Sequence, residues 1–130
     1  MGIPDVRDLD VFNLAVDGAA RIYRVTELWP RRELFGMTSQ IRKSGTSVCS
    51  NLGEAWRKRR LYAAAFVSKL SDAETEAGET QVWLLLAKRF TYIDESTFVE
   101  LDHLYDRIIG KLVTMSAQPE KWCPVAALRR

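Results

Sequence analysis

Cysteine and histidine are scarce in this 130-residue chain, which contains two cysteines and one histidine. The cysteines, Cys49 and Cys123, are too few for the disulfide framework of a small secreted domain, and we therefore expect a reduced, cytoplasmic protein. A di-iron helix bundle needs two Glu-x-x-His motifs, whereas this sequence has only one, formed by Glu100 and His103. The sequence predicts neither a metal site nor a cofactor.

Long apolar runs are also missing. The longest, "VWLLLA" at residues 82–87, is far shorter than the roughly 18 residues that a membrane-spanning helix needs, so we expect no membrane insertion. The first ten residues lack a cationic stretch followed by an apolar one, and we expect no signal peptide.

Motifs for catalysis are absent as well. The sequence contains neither a P-loop nor a Gly-x-Gly-x-x-Gly motif, and no pattern marks Cys49 as an activated nucleophile. Asp72, Glu76 and Glu79 share a helix face at spacings of four and three, but a solvated face explains them better than a metal site. We therefore expect a protein that is not an enzyme.

Four segments of the sequence have helical periodicity, and period-two runs typical of strands are missing. The apolar stripes are Phe12, Ala15, Ala19, Ile22 and Tyr23; Ile41, Gly45, Val48, Leu52 and Ala55; Phe66, Leu70, Ala73, Ala77, Thr80, Leu84 and Ala87; and Phe98, Leu101, Tyr105, Ile108, Leu112 and Met115. Short connections between such helices predict an all-α, antiparallel up-down four-helix bundle over residues 1–118. We expect a turn near residues 57–60 and an extended tail over residues 119–130.

The apolar run at residues 82–87 has no polar side, which indicates burial on more than one face. In a four-helix monomer each helix keeps a solvent face, so we expect another copy of the chain to cover Trp83, Leu85 and Leu86. This predicts a ring-like homo-oligomer. Alternatively, the tail folds back and Trp122 covers the run.

The charges are unevenly distributed although the net charge is only +2. Residues 31–60 carry eight cations and two anions, whereas residues 71–87 carry four anions and no cation. The cations that we expect to contact RNA or DNA phosphates are Arg42, Lys43, Arg57, Lys58, Arg59 and Arg60. A solvated turn is the alternative, but several copies of the set on a ring would bind with avidity.

Polar residues also lie along the second helix, among them Gln40, Asn51 and Glu54. Such side chains either line a phosphate-binding surface or fix the register and partner choice of a bundle, and we favour the second role. For Glu54 we expect an ion pair with Arg42 or with an arginine of a neighbouring subunit.

The segment "MTSQIRKSGTSVCSNLGEA" at residues 37–55 resembles the motif "LTSQIRRAAVSIPSNIAEG" of a known family, with Cys49 in place of the usual proline. "LDVFNLA" near the start and "ETQVWLLLAKRFTYID" later in the chain are similar to other parts of the same family. It comprises four-helix-bundle proteins encoded within intervening sequences of bacterial 23S rRNA genes, and it is related to accessory variability proteins of diversity-generating retroelements. The resemblance implies a homopentameric barrel, no established enzymatic activity, and nucleic-acid binding in the retroelement branch.

Two functions remain open at this point. The first is a non-enzymatic, homo-oligomeric scaffold that binds RNA or DNA through a multivalent basic surface. The second is a protein-binding adaptor, for example for a reverse transcriptase, that makes no nucleic-acid contact of its own.

Overall fold

The computed structural model describes residues 5–129, and within this range the chain is all-α without a strand. The α-helices are α1 (Asp10–Thr26), α2 (Met37–Lys58), α3 (Ala63–Arg89), α4 (Glu95–Ala117) and the short α5 (Val125–Leu128). Three single 3-10 turns lie at Val6–Asp8, Arg31–Glu33 and Pro119–Lys121. None of the helices in the described range combines the length and hydropathy needed to cross a bilayer.

The four long helices pack in a cycle, α1 on α2, α2 on α3, α3 on α4, and α4 on α1. Ion pairs give the directions of the helices. Asp10 at the start of α1 pairs with Lys111 late in α4, whereas Arg21 farther along α1 pairs with Glu100 early in α4. Lys88 near the end of α3 likewise pairs with Glu95 at the start of α4. The chain is thus an antiparallel bundle, as the periodicity predicts.

The predicted stripes form most of the core. Every residue of the α2 and α3 stripes is buried, and Thr80 is among them. In α4 only Phe98 is less than fully buried. In α1 Tyr23 was assigned wrongly to the core, because its ring is exposed and lies beneath the guanidinium of Arg42, 4.4 Å away.

The connections follow local rules. α1 ends at Thr26, ahead of Pro30, which restricts the backbone before it. The predicted break between α2 and α3 is confirmed, since residues 59–62 leave the helix and the amides of Leu61 and Tyr62 donate back to the Lys58 carbonyl. The Asp94 carboxylate accepts the Thr97 amide at 2.8 Å and caps α4.

The C-terminal segment is not extended, which corrects the sequence-based expectation. Its 3-10 turn and α5 fold against the bundle, and Cys123 and Ala127 are buried. The Trp122 ring meets Trp56 of α2 edge-on, with 6.0 Å between ring centroids. Since Trp56 lies at the end of the bundle where α3 begins, Trp122 is remote from residues 82–87. The idea that Trp122 covers that apolar run is therefore wrong.

Candidate nucleic-acid interface

Arg57, Lys58 and Arg60 are exposed where α2 ends and the chain turns into α3. We call these three residues the basic end. Arg57 and Lys58 occupy the last turn of α2, where the partial negative charge of the helix C-terminus favours cations. Together with Glu54 and Leu61 the three side chains border a surface depression of about 520 Å³. The turn thus holds three flexible cations at one end of the bundle.

Arg59 differs from its neighbours in the sequence because it points inward. Its side chain is only 9% exposed, and its guanidinium lies 4.0 Å above the centre of the Trp56 ring. Burial, together with the charge of Arg60, lowers the pKa of Arg59. We therefore assign Arg59 to cation–π packing of the bundle end and leave it out of the proposed phosphate-binding set.

Arg42 and Lys43 do not join the basic end. They precede Arg57 by about four turns of α2, or roughly 22 Å along its axis. Arg42 donates from Nε to Thr26 Oγ1 at 2.8 Å besides stacking on Tyr23. Its guanidinium ties α2 to the end of α1. Lys43 is exposed and near Glu76. The pKa of Glu76 is raised, chiefly by burial, and the charge of Lys43 offsets part of that rise. The structure thus divides the six predicted cations into two separate groups and one buried residue.

No carboxylate of residues 5–129 forms an ion pair with the basic end. In the described range, Arg57, Lys58 and Arg60 form no ion pair, whereas Lys69, for example, holds Glu54 at 2.9 Å and Asp72 at 3.7 Å. The expected pairing of Glu54 with Arg42 is therefore wrong within the chain, because the two residues lie twelve positions, or roughly 18 Å, apart on α2, and Lys69 of α3 pairs with Glu54 instead. As far as residues 5–129 are concerned, an external anion would meet no carboxylate already bonded to these three cations.

The polar residues predicted to fix register are not the buried ones. Gln40 and Glu54 are exposed and Asn51 is half-buried. The buried polar contact between α2 and α3 instead joins Ser44 and Thr80. Sequence reasoning placed Thr80 on the α3 stripe but missed Ser44, which lies beside the predicted α2 stripe and could be recognised only from its packing.

The apolar run on α3 is divided between core and solvent. Leu84 and Ala87 are buried, Trp83 and Leu86 are half-buried, and Val82 and Leu85 are 56% and 47% exposed. The Trp83 indole donates weakly to the Glu79 carboxylate at 3.4 Å. We call Val82, Trp83, Leu85 and Leu86 the α3 apolar strip, which one chain alone leaves partly in contact with water.

Residues 7–114 match the family model described as 23S rRNA-intervening sequence protein. The chain belongs to this family. It is also similar to a crystal structure of a protein of unknown function from the S23 ribosomal protein family of Bacteroides thetaiotaomicron, with 30% sequence identity and a TM-score of 0.73. That alignment covers 82% of this chain and 95% of the other. No curated protein matches the chain.

This member of the 23S rRNA-intervening sequence protein family carries a C-terminal segment outside the matched residues. The segment adds Trp122 and its exposed neighbour Lys121 to the end of the bundle that bears Arg57, Lys58 and Arg60. A relation to the accessory variability proteins of retroelements stays a prediction, as does an oligomeric ring.

The described residues of this family member contain no group of three or more His, Cys, Asp or Glu side chains placed to hold a metal ion. Glu100 is paired with Arg21 at 3.1 Å, and His103 is exposed on α4. Burial raises the pKa of the Cys49 thiol to about 11, which keeps it protonated at neutral pH. These positions thus hold an ion pair between α1 and α4, an exposed histidine and a protonated thiol.

Proposed function

We propose that this protein is a non-enzymatic, homo-oligomeric scaffold that binds RNA or DNA phosphates through the basic end. The observation that carries the proposal is the exposure of Arg57, Lys58 and Arg60 without a carboxylate partner among the described residues. Phosphate contacts of this kind position a nucleic acid without reading its sequence. We expect RNA and DNA to bind alike.

We further propose that the α3 apolar strip joins copies of the chain into a ring of five. Exposed Val82 and Leu85, next to half-buried Trp83, supply the apolar centre that interfaces between subunits contain. One basic end with three cations would bind weakly. Five copies on one ring would raise the overall affinity through effective concentration, without a new type of contact.

A protein-binding adaptor is the second candidate, and a different surface favours it. Leu28 and Phe35, in the connection between α1 and α2, are 89% and 91% exposed. Isolated apolar residues are common on surfaces, but two large ones on a single short connection suit contact with an apolar partner surface. For this candidate we propose a protein partner such as a reverse transcriptase.

Binding of labelled RNA and DNA over a series of salt concentrations separates the two candidates. If the basic end contacts phosphates, the logarithm of the affinity falls with the logarithm of salt, by about 0.9 per duplex phosphate neutralised or about 0.7 on single strands. Arg57→Ser/Lys58→Ser/Arg60→Ser should flatten this slope. Arg59 is kept in this variant because it packs on Trp56.

The matched control is Lys43→Ser, which removes an exposed cation outside the basic end and should leave the slope nearly unchanged. Absence of binding at ~150 mM salt, where electrostatic contacts are screened beyond roughly 8 Å, would favour the adaptor. Binding with a flat salt dependence would contradict phosphate contacts.

A further inference from the structure

An open surface groove of about 550 Å³, which we call the cavity, lies between α1, α4 and the C-terminal segment. Its size lies within the range of about 300–1,000 Å³ that is usual for small-molecule sites. The lining residues are Leu9, Asp10, Val11, Arg107, Gly110, Lys111, Thr114, Met115 and Trp122. One of these residues, Trp122, lies outside residues 7–114, which match the family model.

The inner surface of the cavity is apolar. Leu9, Val11 and Met115 are buried core residues, and the half-buried Trp122 ring adds an aromatic wall. The Thr114 hydroxyl donates to the Gly110 carbonyl of its own helix at 3.0 Å, so this polar group is already satisfied. An aliphatic or aromatic group would therefore be the natural occupant of the interior.

The rim of the cavity carries one positive charge in excess. Asp10 and Lys111 neutralise each other across 2.8 Å. The Arg107 guanidinium lies near enough to Asp10 to lower the pKa of that carboxyl, an effect that is secondary to the hydrogen bond from Lys111. Arg107 is exposed and has no ion pair of its own within residues 5–129. A ligand carboxylate at the rim would complete the charge balance.

Gly110 of α4 is one of the residues that line the cavity. A Cβ placed on this residue would have no neighbouring atom within 4 Å. A side chain at residue 110 would therefore begin in open space beside the other lining residues. It would also replace glycine by a better helix former within α4, so folding should not suffer.

We propose that this cavity binds a small amphipathic carboxylate, with its apolar tail against Trp122, Val11 and Met115 and its carboxylate at Arg107. The combination of an apolar interior, an aromatic wall and one uncompensated cation at the rim carries the assignment. The inference does not depend on nucleic-acid binding, because the lining residues lie on α1, α4 and the C-terminal segment rather than on the basic end.

Calorimetric titration of the full chain with octanoate tests the proposal, with 1-octanol and octylammonium as probes of the same tail length. Octanoate should bind more tightly than either of the other two. Equal affinity for octanoate and octanol would overturn anion recognition at Arg107, and absence of octanoate binding would overturn the site.

Two substitutions locate the bound octanoate. Arg107→Gln should weaken octanoate binding about fivefold, near the upper limit for a solvent-exposed ion pair, while leaving octanol binding unchanged. Gly110→Leu should weaken binding of both probes by occupying part of the cavity. Each substitution has a matched control. Arg24→Gln removes an exposed cation of α1, and Gly53→Leu adds a side chain at a similarly open glycine of α2.

These two control variants should bind octanoate as the unaltered chain does. Octanoate binding that is unchanged in Gly110→Leu would place the ligand elsewhere and overturn the proposal. A change in the oligomeric mass of Gly110→Leu, measured by light scattering, would show that a second copy of the chain occupies the cavity and would equally overturn it.

Discussion

The hydroxyl oxygens of Ser44 and Thr80 lie 2.8 Å apart and share a hydrogen bond between α2 and α3, with both residues buried. Ser44 Oγ also lies 3.1 Å from the Ile41 carbonyl and Thr80 Oγ1 lies 2.9 Å from the Glu76 carbonyl, so one hydroxyl donates across the interface while the hydroxyl that accepts donates to its own helix. The pair is a polar contact within an apolar interface, and it holds the two helices in one register.

Thr80→Val keeps the shape of the side chain but removes this hydrogen bond. We expect it to lower the free energy of unfolding by about 0.5–1.5 kcal/mol, and Ser44→Ala to act through the same bond. Urea unfolding of both single variants and the double variant, at one chain concentration, should give a coupling energy between the two side chains of at least about 0.5 kcal/mol. Strictly additive losses would contradict the contact. The control Ser50→Ala, an exposed serine, should change stability by no more than about 0.5 kcal/mol.

Gly18 of α1 lies directly against Tyr105 of α4. A Cβ at Gly18 would come within 2.8 Å of the Tyr105 hydroxyl oxygen and 3.0 Å of its ring, and the ring is fully buried. Gly18→Ala should therefore destabilise the bundle by about 1–3 kcal/mol, the usual cost of overpacking a core. Gly45→Ala, whose Cβ would lie 3.4 Å from the same oxygen, should be tolerated.

The same contact predicts rescue. The Tyr105 hydroxyl has no hydrogen-bond partner among the described residues, so Tyr105→Phe should leave stability unchanged or raise it. Combined with Gly18→Ala, it should recover part of the loss measured by thermal unfolding. Tyr92→Phe is the opposite case. The Tyr92 hydroxyl donates to the Glu33 carboxylate at 2.8 Å, so Tyr92→Phe should be less stable than the unaltered chain.

Spacing of apolar residues predicts the faces of α2, α3 and α4, because the helical period alone determines which side chains share a face. It does not predict contacts between residues far apart in the sequence. The α2 stripe, extended by four residues from Ala55, reaches Arg59 and so separates it from Arg57 among the four consecutive cations, but the position of its guanidinium over the Trp56 ring is visible only in the structure. The contact between the Trp122 and Trp56 rings joins residues far apart in the sequence, and no local pattern in the C-terminal segment predicts it.

The Cys49 thiol should be unreactive at neutral and mildly alkaline pH. Burial raises its pKa from the usual 9.0 to about 11, so at pH 8 the thiolate fraction is far below that of a free thiol. Alkylation by iodoacetamide, followed by mass spectrometry of the Cys49 peptide, should be at least about tenfold slower than for glutathione at pH 8. The rate should rise steeply only as the pH approaches 11, and a rate equal to that of glutathione would contradict the burial of this group.

If the α3 apolar strip is a subunit interface, its exposed residues are the ones to change. The half-buried Trp83 also packs against the core of its own chain, so Trp83→Glu would disturb the monomer as well. Leu85 is 47% exposed, and Leu85→Glu would place a charge at the interface without entering the core. Light scattering should then give the 14.9 kDa of a single chain, instead of about five times that mass for the unaltered protein.

Val113 of α4 provides the matched control for this experiment. It is also 47% exposed, so Val113→Glu introduces the same charge on an equally accessible apolar residue of another helix. Far-ultraviolet circular dichroism should be unchanged in both variants, because neither position belongs to the buried core. Dissociation by Leu85→Glu alone would assign the interface to α3, whereas dissociation by Val113→Glu alone would move it to α4. A monomeric unaltered protein would remove the avidity on which five weak basic ends depend, and nucleic-acid binding would then have to come from a single set of three cations.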